Sequence, residues 1–163
     1  MQGFDLHLVR SGLLLWLLAL VALEDLHSGV ISDRWLLAGA GLFALWAVFL
    51  SGAPLWALGF GLIGGVAVSV PLLGLVLLAD RIFRRETMGG GDVKLFFVCG
   101  LFFGWQLGLL HLILSCVVGL ALAPLLKKRD GTLPFAPAIC LAGAATVLFG
   151  KGFIAWYLSL FGL

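Results

Sequence analysis

This sequence predicts an all-α integral membrane protein, a bundle of about six transmembrane helices forming one polytopic domain over residues 1–163. Three observations predict it. Hydrophobic residues make up 63% of the chain, charged residues only 11%, and mean hydropathy is +1.20. A soluble domain carries about 25% charged residues, so this chain lacks the polar surface to face water on all sides. Its apolar residues also come in long continuous runs, whereas a membrane barrel alternates apolar and polar positions. Finally, the charges gather in short stretches that punctuate those runs. The net charge of +2 matters less than that distribution.

The first run, Ser11–Leu23, is short for a span, which takes about 20 helical residues. It must recruit flanking residues, and that draws Asp25 toward the membrane boundary. Trp35–Leu50 and Ala53–Ala79 follow, separated by Ser51-Gly52. Val93–Gly104 is short again and draws in Asp92 in the same way. Trp105-Gln106 separates it from Leu107–Leu126, and Leu133–Gly150 is the sixth run. Beyond Lys151, the tail Phe153–Leu163 either extends that last helix or lies at the interface, with Trp156 and Tyr157 as anchors. Met1–Arg10 lacks the basic-then-apolar order of a signal peptide, so the first run is expected to remain in the protein. Spacings such as Gly61-x-x-x-Gly65 suit close packing of helices within one chain.

Charge sets the expected orientation. Arg34, Arg81, Arg84, Arg85, Lys94, Lys127, Lys128 and Arg129 lie in or beside three loops, around 24–34, 80–94 and 127–132. These alternate with the uncharged connections, so the positive-inside rule puts three charged loops in the cytoplasm and the N-terminus outside. The same loops hold seven of the eight acids, among them Glu24, Asp25, Asp33 and Asp92. The basic clusters are topology signals first and contacts for anionic lipid headgroups second. Membrane lipids are therefore expected partners and nucleic acid is not.

The candidate chemistry rests on Gly89-Gly90-Gly91-Asp92 and on Asp25. A carboxylate at the edge of hydrocarbon is costly and marks a functional site by default. Two carboxyl groups within a few ångströms share a proton, so one can activate water as general base while the other polarises a carbonyl. Such a pair hydrolyses a peptide without metal, cofactor or covalent intermediate. Glu24, beside Asp25, is the alternative first acid. Cys99, Cys116 and Cys140 are isolated in apolar runs and read as small buried residues. His7, His27 and His111 have no zinc-ligand spacing, and no Gly-Lys-Ser/Thr follows the glycines, which excludes a phosphate-binding loop.

Met88-Gly89-Gly90-Gly91-Asp92-Val93-Lys94-Leu95 resembles the GxGD motif of the type IV prepilin peptidases, intramembrane aspartyl proteases related to the archaeal preflagellin peptidases. Asp25 to Arg34 is similar to that family's first motif, an Asp, six or seven residues, then Ile/Leu-Pro-Asp/Asn, with Ser32 where the family has Pro. Pro134-Phe135-Ala136-Pro137 is similar to its P-F-G-P near the last span. The resemblance implies Asp25 and Asp92 as catalytic residues, with Gly89, Gly91, Lys94 and Asp33 supporting the motifs. It further implies cleavage of basic leaders, ending in Gly before an apolar helix, from pilin, pseudopilin or archaellin precursors. The cleavage would occur at the cytoplasmic face of a prokaryotic inner membrane. Without paired C-x-x-C motifs, the peptidase-only short form is expected, and methyltransferase activity is not. The rival readings are a small proton- or cation-coupled transporter using the same acids, and an inactive subunit of a secretion or pilus assembly. Acids near one face favour the protease over midplane ion sites.

Overall fold

A computed structural model describes residues 2–84, 88–126 and 134–160, with the side chains of 8–84, 88–125 and 134–160. Arg85, Glu86, Lys127, Lys128, Arg129 and Asp130 of the charged loops lie outside the described residues, as does 161–163 of the tail. Five helices lie among the described residues: α1 (Gln2–Ser28), α2 (Asp33–Phe49), α3 (Pro54–Phe83), α4 (Gly90–Leu126) and α5 (Ala136–Leu160). All regular structure among the described residues is helical.

Local chemistry explains the boundaries. α1 overruns its apolar core in both directions, so Asp25 lies inside the helix, one turn from its end. Gly29, in the left-handed region at φ 69°, stops α1 and donates its N–H to the Asp25 carbonyl at 2.8 Å. Ser32 occupies the position before α2, and Asp33 is the first helical residue, where its charge complements the helix dipole. Pro54 starts α3, where a missing N–H costs nothing, and Arg84 ends it with a left-handed residue, φ 51°. α5 runs unbroken through Gly150-Lys151-Gly152, so residues 153–160 of the tail extend the last helix.

α4 is the exception to a simple rod. Gly104 has φ 75° and ψ −178°, a conformation essentially reserved for glycine. The two arms fold back on each other there. The ring of His111 lies 5.7 Å from that of Phe96 and 5.1 Å from that of Phe103, and a Cβ on Gly108 would come within 3.6 Å of the Gly100 Cα. In a straight helix residues 96 and 111 would be about 22 Å apart. Val93–Gly104 and Leu107–Leu126 are therefore two antiparallel arms, and the connection expected at Trp105-Gln106 has shrunk to one glycine.

Helix α3 packs on α4 backbone to backbone. A Cβ on Gly64 would strike the Gly100 carbonyl, and one on Gly100 would come within 2.6 Å of the Gly64 carbonyl. Gly61 and Gly65 are buried beneath Phe43 and Phe97, so the small-residue spacing serves contact within the chain. α1 supplies the centre of the bundle with Leu14, Leu17, Leu18 and Val21, all nearly fully buried against Phe96, Phe102 and Ile139. In lipid this contact gains through close packing rather than release of water, which is why small residues matter.

The outside is as apolar as the inside: Leu37 is 74% exposed, Leu55 85% and Leu120 79%. Among the described residues, three helices are long and apolar enough by length and composition to cross a membrane, Pro54–Phe83, Ala136–Leu160 and Gly90–Leu125, the last of them folded at Gly104. The chain is an all-α membrane protein. Cys116 faces outward instead of lying buried as expected, whereas Cys99 is buried; none of the three cysteines is in a disulfide.

Candidate active site

The alternation of helices gathers the ends carrying Asp25, the α1–α2 turn, Gly89–Lys94 and the start of α5 at one end of the bundle. Asp25 is 5% exposed there. Its Oδ2 accepts a 3.0 Å hydrogen bond from the backbone N–H of Ala136, the first residue of α5. The first N–H groups of a helix have no partner within it, so this carboxylate satisfies one of them. Pro137 follows without a donor of its own, and Ala138 and Ile139 donate to the Phe135 carbonyl at 3.0 and 3.2 Å. The Pro134–Pro137 segment thus aims the Ala136 N–H at Asp25. Ala136 was not among the site residues expected from the sequence; the only signal for it was the motif itself.

Asp92 sits half-buried in the first turn of α4, its N–H donated to the Gly89 carbonyl at 3.1 Å. It lies within electrostatic reach of Asp25, at the same end of the bundle. Both acids singled out from the sequence therefore come together in the fold.

The flanking residues have distinct parts. Gly91 is where the α1–α2 turn passes over the start of α4: a Cβ there would lie 3.1 Å from the Ile31 Cβ. Gly89 and Gly90 are in negative-φ conformations, so close approach at Gly91, and not a left-handed turn, is what the tetrad demands. Gly89 abuts Asp92, with its Cβ position 3.6 Å from Oδ2. Lys94 and Asp33 form a 2.7 Å ion pair, with side chains 59% and 68% exposed, that ties the start of α2 to the start of α4. Asp33, expected from the sequence to support the motif, is thus the ion-pair partner of Lys94. Glu24 keeps Oε2 buried with no hydrogen-bond partner among the described residues, and His27 is exposed.

Residues 12–124, which contain both acids and the glycine tetrad, match the type IV leader peptidase family. The chain belongs to that family. It is similar to the prepilin leader peptidase/N-methyltransferase of Aeromonas hydrophila, 32% identical over 157 residues, covering 91% of this chain and 52% of that protein. The Bacillus subtilis (strain 168) protein of the same description is 30% identical over 164 residues, covering 97% of this chain and 62% of its own length. That of Legionella pneumophila is 25% identical over 162 residues, covering 96% and 55%. The chain thus spans little more than half the length of the curated relatives it matches. No solved structure matches it. Within the leader peptidase family, the segment shared with those relatives is the one that carries Asp25, Asp92 and Ala136.

Proposed function

We propose that this chain is a membrane aspartic endopeptidase that removes short leader peptides from type IV prepilin-like precursors, with Asp25 and Asp92 as its catalytic pair. The observation that carries this is the meeting of two acids from α1 and α4 at one end of an apolar bundle, in a chain of the leader peptidase family. An N–H held on Oδ2 suits the ionised carboxylate, so Asp25 is the base that takes a proton from water. Asp92, protonated, donates to the scissile carbonyl oxygen and neutralises the charge that develops there. Water attacks the carbonyl carbon as its proton passes to Asp25. Asp25 then hands that proton to the amide nitrogen, and Asp92 recovers its own as the carbonyl re-forms. The C–N bond breaks, and the leader departs with a new carboxyl terminus.

The membrane arrangement follows from the same reading. With α4 folded at Gly104, the chain makes six passes with its N-terminus outside. The arm from 90 to 103 is about 21 Å long against a hydrocarbon core of about 30 Å, which pulls Asp92 into the boundary. A cytoplasmic end rich in Glu24, Asp25, Asp33 and Asp92 suits a basic leader, while the precursor's own apolar helix stays in the lipid. The test is to incubate the purified chain with a prepilin-like peptide carrying a basic leader. Release of the leader supports the reading, and an intact peptide with correctly inserted protein refutes it.

A further inference from the structure

Eight of the ten basic residues belong to the charged loops; the two left over are Arg10 and Lys151. Far apart in sequence, they line the same cavity of about 230 Å³, with Ser11, Leu14, Phe102 and Thr146 among its walls. The cavity is at the end of the bundle remote from the aspartates. Arg10 precedes Asp25 on α1, and Lys151 follows Ala136 on α5, each by about four turns or about 22 Å.

We propose that this cavity binds the phosphate of an anionic phospholipid, held between Arg10 and Lys151 in the leaflet opposite Asp25 and Asp92. Among the described residues no carboxylate pairs with either cation. Arg10 is half-buried, its guanidinium 5.1 Å from the centre of the Trp46 ring, which orients the fork but does not neutralise it. Two cations lining one small cavity repel each other and gain from a common anion. A guanidinium fork beside an ammonium is the donor set that phosphate oxygens fit.

A second observation points the same way. Trp46 is 7% exposed, and its buried indole N–H has no acceptor among the described residues. It lines an adjoining cavity of about 180 Å³ that shares Arg10 and Phe103 with the first. A ligand anchored at Arg10 and carrying further oxygens, such as the esters of a phospholipid, supplies that acceptor. Leu14, Phe102 and Leu107 offer an apolar wall to the first carbons of an acyl chain, which a free phosphate would leave unused.

Native mass spectrometry of the purified chain in detergent tests this, with phosphatidylglycerol, phosphatidylcholine or inorganic phosphate added in equal amounts. One phosphatidylglycerol should be retained in preference to phosphatidylcholine. Lys151→Gln should lower that preference roughly fivefold, as removal of one cation near an anionic lipid does. Lys151 is exposed, so this variant leaves the packing intact; Arg10→Gln should have at least the same effect. Arg81→Gln, at the other end, should leave the preference unchanged. Equal retention of the two lipids, or a preference that survives Lys151→Gln, overturns the site. Displacement of phosphatidylglycerol by equimolar inorganic phosphate overturns the lipid assignment.

Discussion

The backbone N–H of Ala136 donates to Oδ2 of Asp25 across 111 residues of sequence, joining the inner turn of α1 to the first residue of α5. A backbone donor cannot be removed by trimming a side chain, but proline removes it. Proline is tolerated in the first turn of a helix. Ala136→Pro should therefore keep the helical content measured by circular dichroism and lower the cleavage rate, with a stability cost of about 1–3 kcal/mol for the lost hydrogen bond to a carboxylate. Ala136→Gly keeps the N–H and should keep the activity. Equal rates in the two variants would remove this hydrogen bond from the mechanism.

Asp25→Asn and Asp92→Asn each preserve size, and an Asn oxygen at 25 can still accept from Ala136. Each should lower peptide cleavage by at least about 100-fold, the lower end of what acid–base catalysis contributes. Protein levels in the membrane should be unchanged. Full activity in either variant would break the proposed pair, and a loss seen only in Glu24→Gln would move the first role by one residue.

Gly91 meets Ile31, whereas a Cβ on Gly90 meets nothing within 4 Å. Gly91→Val should push the α1–α2 turn away from α4 and reduce the cleavage rate several-fold more than Gly90→Ala does. Measured beside it, Gly89→Val should act through crowding of Asp92. Matching losses at 90 and 91 would show that helix propensity, not this contact, is being read.

The Lys94–Asp33 pair is exposed on both sides, so it holds little energy. A double-mutant cycle by thermal unfolding, with Lys94→Ala and Asp33→Ala, should give a coupling of about 0.2–1 kcal/mol that shrinks as salt is added. If cleavage falls far more than stability in the single variants, the pair serves to position the start of α4.

Orientation is read by single cysteines placed at Ser51 and at Thr87 in a chain lacking Cys99, Cys116 and Cys140. In intact cells an impermeant thiol reagent should label position 51 and spare position 87. The reverse pattern would put the aspartates on the outside and favour the transporter reading.

Composition alone determined that this chain is helical and lives in a membrane, because 63% hydrophobic residues in continuous runs leave no other way to satisfy the backbone. The aspartates were legible too, since a carboxylate bordering an apolar run stands out against its neighbours. Hydropathy and local motifs are properties of neighbouring residues, and that is where their reach ends. They pointed to a turn near Trp105-Gln106, but only the fold located it at Gly104, where a positive φ lets Phe96 and His111 meet. Asp33 read only as a residue supporting the motif until packing set it beside Lys94, and Ala136 carried no polar side chain to draw notice. Arg10 and Lys151, 141 residues apart and outside every motif, line one cavity only in the folded chain. Such pairings depend on which helix faces which, and packing of small residues such as Gly64 against Gly100 decides that only once the whole bundle has closed.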